Sequence, residues 1–190
     1  MYSKIIVDVS CKDGEFDEYK ISPPNTSRRY DIAYKVLPII RGSSTVNGDS
    51  AHDHTALGME HNYVTFNVKK IKLSCSFLCN TITSNLNRLS YIVLFKIPYI
   101  DEDHLPKLAS SGLLGSINNF ILYKNPEDVL TYGCLNLTTN KKHTDYTLYC
   151  NKSFNVGPND YLGVCYFLNE TDGNSYANVD ASAEVTFKPI

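Results

Sequence analysis

Residues 62–79 read NYVTFNVKKIKLSCSFLC, and their pattern decides the fold class. Val64, Phe66 and Val68 share even parity, whereas Ile71, Leu73, Cys75 and Phe77 share odd parity. An apolar residue at every second position is the period of a strand with one buried face. The parity changes at Lys69 and Lys70. Strict alternation through that point would turn one half outward, so the spacing predicts one extra residue, a β-bulge or sharp bend, that returns both halves to one core.

Working outward, residues 88–97 (RLSYIVLFKI) are apolar on both parities, which predicts a central strand covered on both faces and ended by Pro98. Further strands are expected at 2–9, 33–40, 119–124, 129–137, 144–150, 161–168 and 181–188. Turn formers separate them, among them Ser22-Pro23-Pro24-Asn25, Asn47-Gly48-Asp49, Gly157-Pro158-Asn159-Asp160 and Asp172-Gly173-Asn174. Short helical turns fit only near 103–109 and 126–130. The polar stretch 42–61 reads as a surface loop.

The 14 tyrosines and 8 phenylalanines, against 2 methionines and no tryptophan, agree with a strand-rich chain. Its 190 residues suffice for one domain with its own core. An all-β chain must close its sheet edges or bury them against a second sheet. Long connections at 41–61 and 99–118 suit Greek-key crossings better than an up-and-down barrel. The expectation is an antiparallel eight-stranded jelly roll over 32–190, preceded by an N-terminal extension over 1–31 in which Ile5, Val7 and Val9 alternate as an extra strand. That strand could pair with a neighbouring subunit's sheet edge.

No run of 18 apolar residues and no signal-peptide pattern occurs, so synthesis in the cytosol and reduced thiols are expected. Cys75, Cys150 and Cys165 fall in apolar strand patterns and read as small core residues. The pair Cys75 and Cys79 has no second pair to complete a zinc site. The glycosylation sequons at Asn25, Asn136, Asn151 and Asn169 are discounted for the same compartmental reason.

A formal net charge of −2 excludes binding of nucleic acid through bulk charge. The distribution is uneven, however: residues 61–100 hold five basic groups and no acidic one. Lys69, Lys70, Lys72, Arg88 and Lys96 would lie on two long strands, and if those strands are neighbours their heads converge on one face and attract phosphates. The plainer reading is a solvated face with lysines guarding an edge.

Other chemistry has less support. His52, His54, Glu60 and His61 match no defined metal spacing, and Asp101, Glu102, Asp103 and His104 read as an exposed acidic turn. No G-x-S-x-G, P-loop, H-E-x-x-H or dinucleotide turn occurs, and a pairing of Cys150 with His143 rests on two common residue types. A non-enzyme without metal or cofactor is expected.

The order of these features resembles the capsid proteins of small circular single-stranded DNA viruses, of circovirus and nanovirus type. Tyr63 to Phe77 looks like their C strand, Arg88 to Lys96 their D strand, Tyr146 to Phe154 their G-strand region, Tyr161 to Asn169 their H strand, and Ala181 to Lys188 a terminal I strand. The resemblance implies a virion protein of which sixty copies form an icosahedral T=1 shell. Lys69, Lys70, Lys72, Arg88 and Lys96 would contact the genome on its inner face, with a host receptor outside and no membrane insertion. It also implies synthesis in the host cytoplasm and leaves nuclear assembly open. The family's arginine-rich N-terminal arm is missing, since residues 1–30 pair only Arg28 with Arg29. Satellite RNA viruses use similar jelly rolls, so genome type stays open. The rival from another class is a soluble β-sandwich recognition module, either lectin-like or a trimeric ligand of tumour-necrosis-factor or complement type.

Overall fold

The computed structural model describes residues 1–12, 14–21, 30–41, 65–79, 88–98, 128–137, 143–157, 160–170 and 177–190. Ten strands occupy them: β1 (Ser3–Asp8), β2 (Asp17–Ile21), β3 (Tyr30–Arg41), β4 (Phe66–Cys79), β5 (Arg88–Pro98), β6 (Val129–Leu137), β7 (His143–Cys150), β8 (Phe154–Val156), β9 (Asp160–Glu170) and β10 (Ala177–Pro189). The expected strand at 119–124, the loops 42–61 and 99–118, and the histidine and acidic clusters within them lie outside the described residues.

The expected parity change in β4 is present. β10 pairs antiparallel with β4, Thr186 opposite Lys70 and Phe187 opposite Val68, so Lys69 is the extra residue. Val68 and Ile71 are both fully buried, and Lys69 and Lys70 between them are both exposed. β10 keeps unbroken alternation beside it, burying Val179, Ala181, Ala183, Val185 and Phe187. One added residue thus reconciles the two halves of β4 with a single partner.

Two antiparallel five-stranded sheets result. The first runs β1-β10-β4-β7, with β8 continuing beside β4, and the second runs β2-β3-β9-β5-β6. The chain crosses between sheets at β1 to β2, β3 to β4, β4 to β5, β6 to β7, β8 to β9 and β9 to β10, which makes a jelly-roll-like sandwich. Between the sheets lie Ile71, Leu73 and Phe77 from β4, Ile92 and Leu94 from β5, and Leu162, Val164 and Tyr166 from β9. Phe77 meets the Tyr166 ring edge-on at 5.9 Å.

The strand order corrects parts of the sequence reading. β9 lies between β3 and β5, where the last strand of a jelly roll closes its sheet, so Tyr161 to Asn169 holds the I position and not H. β7, which pairs with β4 and contains Tyr146 to Cys150, takes the H position, and Ala181 to Lys188 forms an additional strand on the far side of β4. Local strand patterns carry no partner information, so the letters slipped by one. β1 is the predicted N-terminal strand, but it pairs with β10 of the same chain, Ile5 opposite Val185 and Val7 opposite Ala183.

β5 is central and buried on both faces, as its double-parity pattern requires: Tyr91, Ile92, Val93, Leu94 and Phe95 are all buried. β9 is likewise buried from Tyr161 to Leu168. The first sheet differs. Its outward positions are mostly polar, with Ile6, Leu78 and Tyr149 among them, leaving one solvated face on the sandwich.

Candidate nucleic-acid interface

The outward face of the first sheet is set by register. Lys4 stands opposite Thr186, which stands opposite Lys70; one rung along, Ile6, Glu184, Lys72 and Tyr149 form a row across β1, β10, β4 and β7. Further rungs hold Asp8, Ser182, Ser74 and Thr147, then Asp180, Ser76 and Asp145. Charge therefore separates along the strands. Lys4, Lys69, Lys70, Lys72 and Lys188 occupy one end, tempered by Glu184, and Asp8, Asp180 and Asp145 the other.

Aromatic rings interleave with the cations. Lys69 Nζ and Lys188 Nζ lie 5.2 and 5.4 Å from the centroid of Tyr2, and Lys70 Nζ lies 5.4 Å from that of Tyr149. Cation–π contact holds the lysine heads near the surface while leaving them hydrated on one side. Tyr2 Oη donates to Asn67 Oδ1 at 3.1 Å, and Asn67 Nδ2 donates to Asn155 Oδ1 at 2.8 Å. Glu184 Oε1 accepts from Lys4 Nζ at 3.1 Å, a hydrogen-bonded pairing that holds the Glu184 carboxyl below the usual carboxylate range. Amide, phenol and ammonium groups together make a surface able to bind a polyanion through phosphates and stacked bases.

The five residues singled out from sequence do not come together. Lys69, Lys70 and Lys72 share this face, but β5, although it follows β4 in the chain, lies in the opposite sheet, which places Arg88 and Lys96 in the second sheet. Arg88 stands in register opposite Leu137. Lys96 Nζ is bound to Asp160 Oδ2 at 3.1 Å, and that oxygen also accepts from the Gly157 N–H, so Lys96 serves the start of β9. Lys4 and Lys188 join the face instead. Their outward parity was legible in sequence, but their partners, such as Glu184 180 residues from Lys4, were not.

Other candidates resolve simply. Cys11, Cys75, Cys150 and Cys165 are buried thiols outside any disulfide, while Cys134 is an exposed one. Burial pushes the Cys75 thiol up to about 12, an effect slightly offset by its hydrogen bond to Tyr166. His143 and Cys150 sit at opposite ends of β7, His143 outward against Ser76 Oγ at 2.8 Å and Cys150 inward, so they form no dyad. Among the described residues no group of three or more His, Cys, Asp or Glu could hold a metal ion. No helix among them is long and apolar enough to cross a membrane.

No family model matches the chain, and no curated protein matches it. Solved structures do. The capsid protein of BFDV in its decameric crystal form matches at 9% identity and a TM-score of 0.42, over 99% of each chain. The T=3 Penaeus vannamei nodavirus matches at 10% identity and a TM-score of 0.40, over 100% of this chain and 55% of that one. A lipoprotein of Bacteroides thetaiotaomicron matches at 8% identity and a TM-score of 0.40, over 98% and 89%. The chain is similar, at low identity, to capsid proteins of viruses and to a bacterial lipoprotein, and shares with them the extent of the match rather than its residues.

Proposed function

We propose that this protein is a structural capsid subunit that assembles into an icosahedral shell around a nucleic-acid genome. The observation that carries the reading is the jelly-roll strand order combined with a solvated sheet face whose one end gathers five lysines and two tyrosines. Two sheets closed on one core form a rigid building block, while exposed apolar residues at the strand surfaces, Ile6, Leu78, Tyr132 and Tyr149, favour contact between copies. The domain division of the reading is an N-terminal segment over 1–31 added to a jelly roll over 32–190. Lys69, Lys70 and Lys72, with Lys4 and Lys188, contact the genome's phosphates; Arg88 and Lys96 do so only where the second sheet also faces it. A single-stranded DNA genome and a sixty-copy T=1 shell are the finer form of the proposal. The protein performs no catalysis and needs no cofactor.

Exposed Tyr132 and Tyr149 also fit the rival, a β-sandwich recognition module that binds a carbohydrate or receptor. One measurement separates them. The native mass of the expressed protein, read with its 260 to 280 nm absorbance ratio, gives a megadalton particle carrying nucleic acid for a capsid. A small oligomer free of nucleic acid overturns the capsid reading.

A further inference from the structure

We infer that the edge of β1, which has no partner strand among the described residues, is a homodimer contact, at which β1 pairs antiparallel with β1 of a second copy about a two-fold axis through Ile6. The partner is a second copy of this chain, and the inference goes beyond the capsid reading because a small oligomer could use the same edge.

The first support is the direction of the backbone. The N–H of Val9 donates to Ala181 O, and Cys11 and Val179 exchange both hydrogen bonds, so the N–H groups of the odd residues Val9 and Cys11 face β10, although Val9 C=O turns inward to the Tyr166 hydroxyl. Main-chain groups alternate along a strand, which turns those of Lys4, Ile6 and Asp8 toward the opposite edge. The Ser10 N–H is taken by Asp8 Oδ1 at 3.0 Å, not by a backbone carbonyl of β10. Among the described residues β1 is last in its sheet, so Lys4, Ile6 and Asp8 present an open ladder.

The second support is the side chains. An antiparallel partner must also offer even residues, which leaves few registers. With Lys4 opposite Lys4, or Asp8 opposite Asp8, like charges meet. With Ile6 opposite Ile6, each Lys4 faces the other copy's Asp8 on the solvated side, and Ile5 faces Val7 on the core side. This register overlaps all of β1 and makes two opposite-charge pairs around an apolar one. It also covers Ile6, 70% exposed in the single chain although its neighbours Ile5 and Val7 pack on the core. The Asp8 carboxylate folded onto Ser10 ends the ladder there, so it extends no further. β1 has no proline and no bulge to blunt its edge, and its two charges, Lys4 and Asp8, are of opposite sign and so complement a second copy.

The test uses the full chain with Cys134→Ser and Cys79→Ser, which removes the thiol exposed among the described residues and the Cys79 thiol as well. Ile6→Cys should then give a disulfide-linked dimer under mild oxidation, because facing residues of a hydrogen-bonded pair sit about 5.5 Å apart at Cα, within disulfide reach. Lys4→Asp and Asp8→Lys should each weaken association roughly tenfold in sedimentation, and the two together should restore it. Loss of the Lys4–Glu184 bridge would persist in the double variant, so restoration reports the contact between copies. Ile6→Pro should dissociate the dimer with an unchanged circular dichroism spectrum, since Pro offers no N–H to the edge. A folded Ile6→Cys variant that stays uncrosslinked, or charge variants without mutual rescue, overturns the inference. Shells that form while the Ile6→Cys variant stays uncrosslinked overturn the edge contact alone. A crosslinked dimer that builds no larger particle supports the edge contact and overturns the capsid reading.

Discussion

The hydroxyl of Tyr166 donates to the carbonyl oxygen of Val9 at 2.8 Å inside the core. Tyr166 belongs to β9 in the second sheet, and Val9 follows β1 in the first, so one buried hydrogen bond ties the N-terminal strand to the opposite wall of the sandwich. The single phenolic proton goes to Val9, and the Cys75 thiol lies beside the same Tyr166 oxygen.

Tyr166→Phe should therefore destabilise the protein by about 1–3 kcal/mol, because it removes the donor to a buried carbonyl and leaves the Val9 oxygen unsatisfied. Urea unfolding followed by circular dichroism measures this. A loss within error would mean that water reaches Val9.

Alkali should weaken the fold. Burial pushes Cys75 from 9.0 up to about 12 and raises Tyr166 above its usual 10.0. In the unfolded chain these groups release protons first, so the stabilisation is complete below pH 9.0 and is lost as pH rises toward 12. Unfolding free energies taken from pH 7 to 11 should fall above pH 9, and Cys75→Val should flatten the early part of that fall.

Cys134 should be the thiol among Cys11, Cys75, Cys134, Cys150 and Cys165 that a disulfide reagent titrates in native protein. Prompt reaction of Cys75 would contradict its burial.

Deleting Lys69 should be far worse than mutating it. Lys69→Ala leaves the bulge intact and should change stability by less than about 0.5 kcal/mol. Deletion turns Phe66 and Val68 to the solvated face or breaks their pairing with β10, costing about 4 kcal/mol or more. Thermal unfolding of the two variants gives the contrast.

Gly133 of β6 lies against the Tyr146 ring of β7, and a Cβ there would stand 2.5 Å from Tyr146 Cε1. Gly133→Ala should cost about 1–3 kcal/mol through overpacking, and Tyr146→Leu in the same chain should recover part of it.

On the proposed genome face, Lys70→Ala with Lys72→Ala should weaken binding of a single-stranded oligonucleotide and lower the salt slope by about 0.7 for each phosphate no longer neutralised. Lys96→Ala should leave that affinity unchanged and lower stability instead, because its ammonium is engaged with Asp160.

Period-two patterning was enough to place most of the strands, since burial of one face imposes it on the residues themselves. β4 shows this most fully: the extra residue at Lys69, the inward Val68 and Ile71, and the outward Lys70 were all legible in 62–79. β2 and the three-residue β8 were missed because neither has enough alternating apolar residues to show a period.

Partners were a different matter. The run of five basic residues belonged in sequence to two adjacent strands, and the jelly roll put those strands in opposite sheets. Lys4, Lys188, Tyr2 and Tyr149 reached Lys69 and Lys70 only through the β1-β10-β4-β7 pairing. The amino-acid sequence by itself determined which side of each strand is buried, because solvation acts on each residue locally. Which strands lie side by side, and so which cations share a surface, only the tertiary structure decided, because it follows from pairing between segments that no local pattern encodes.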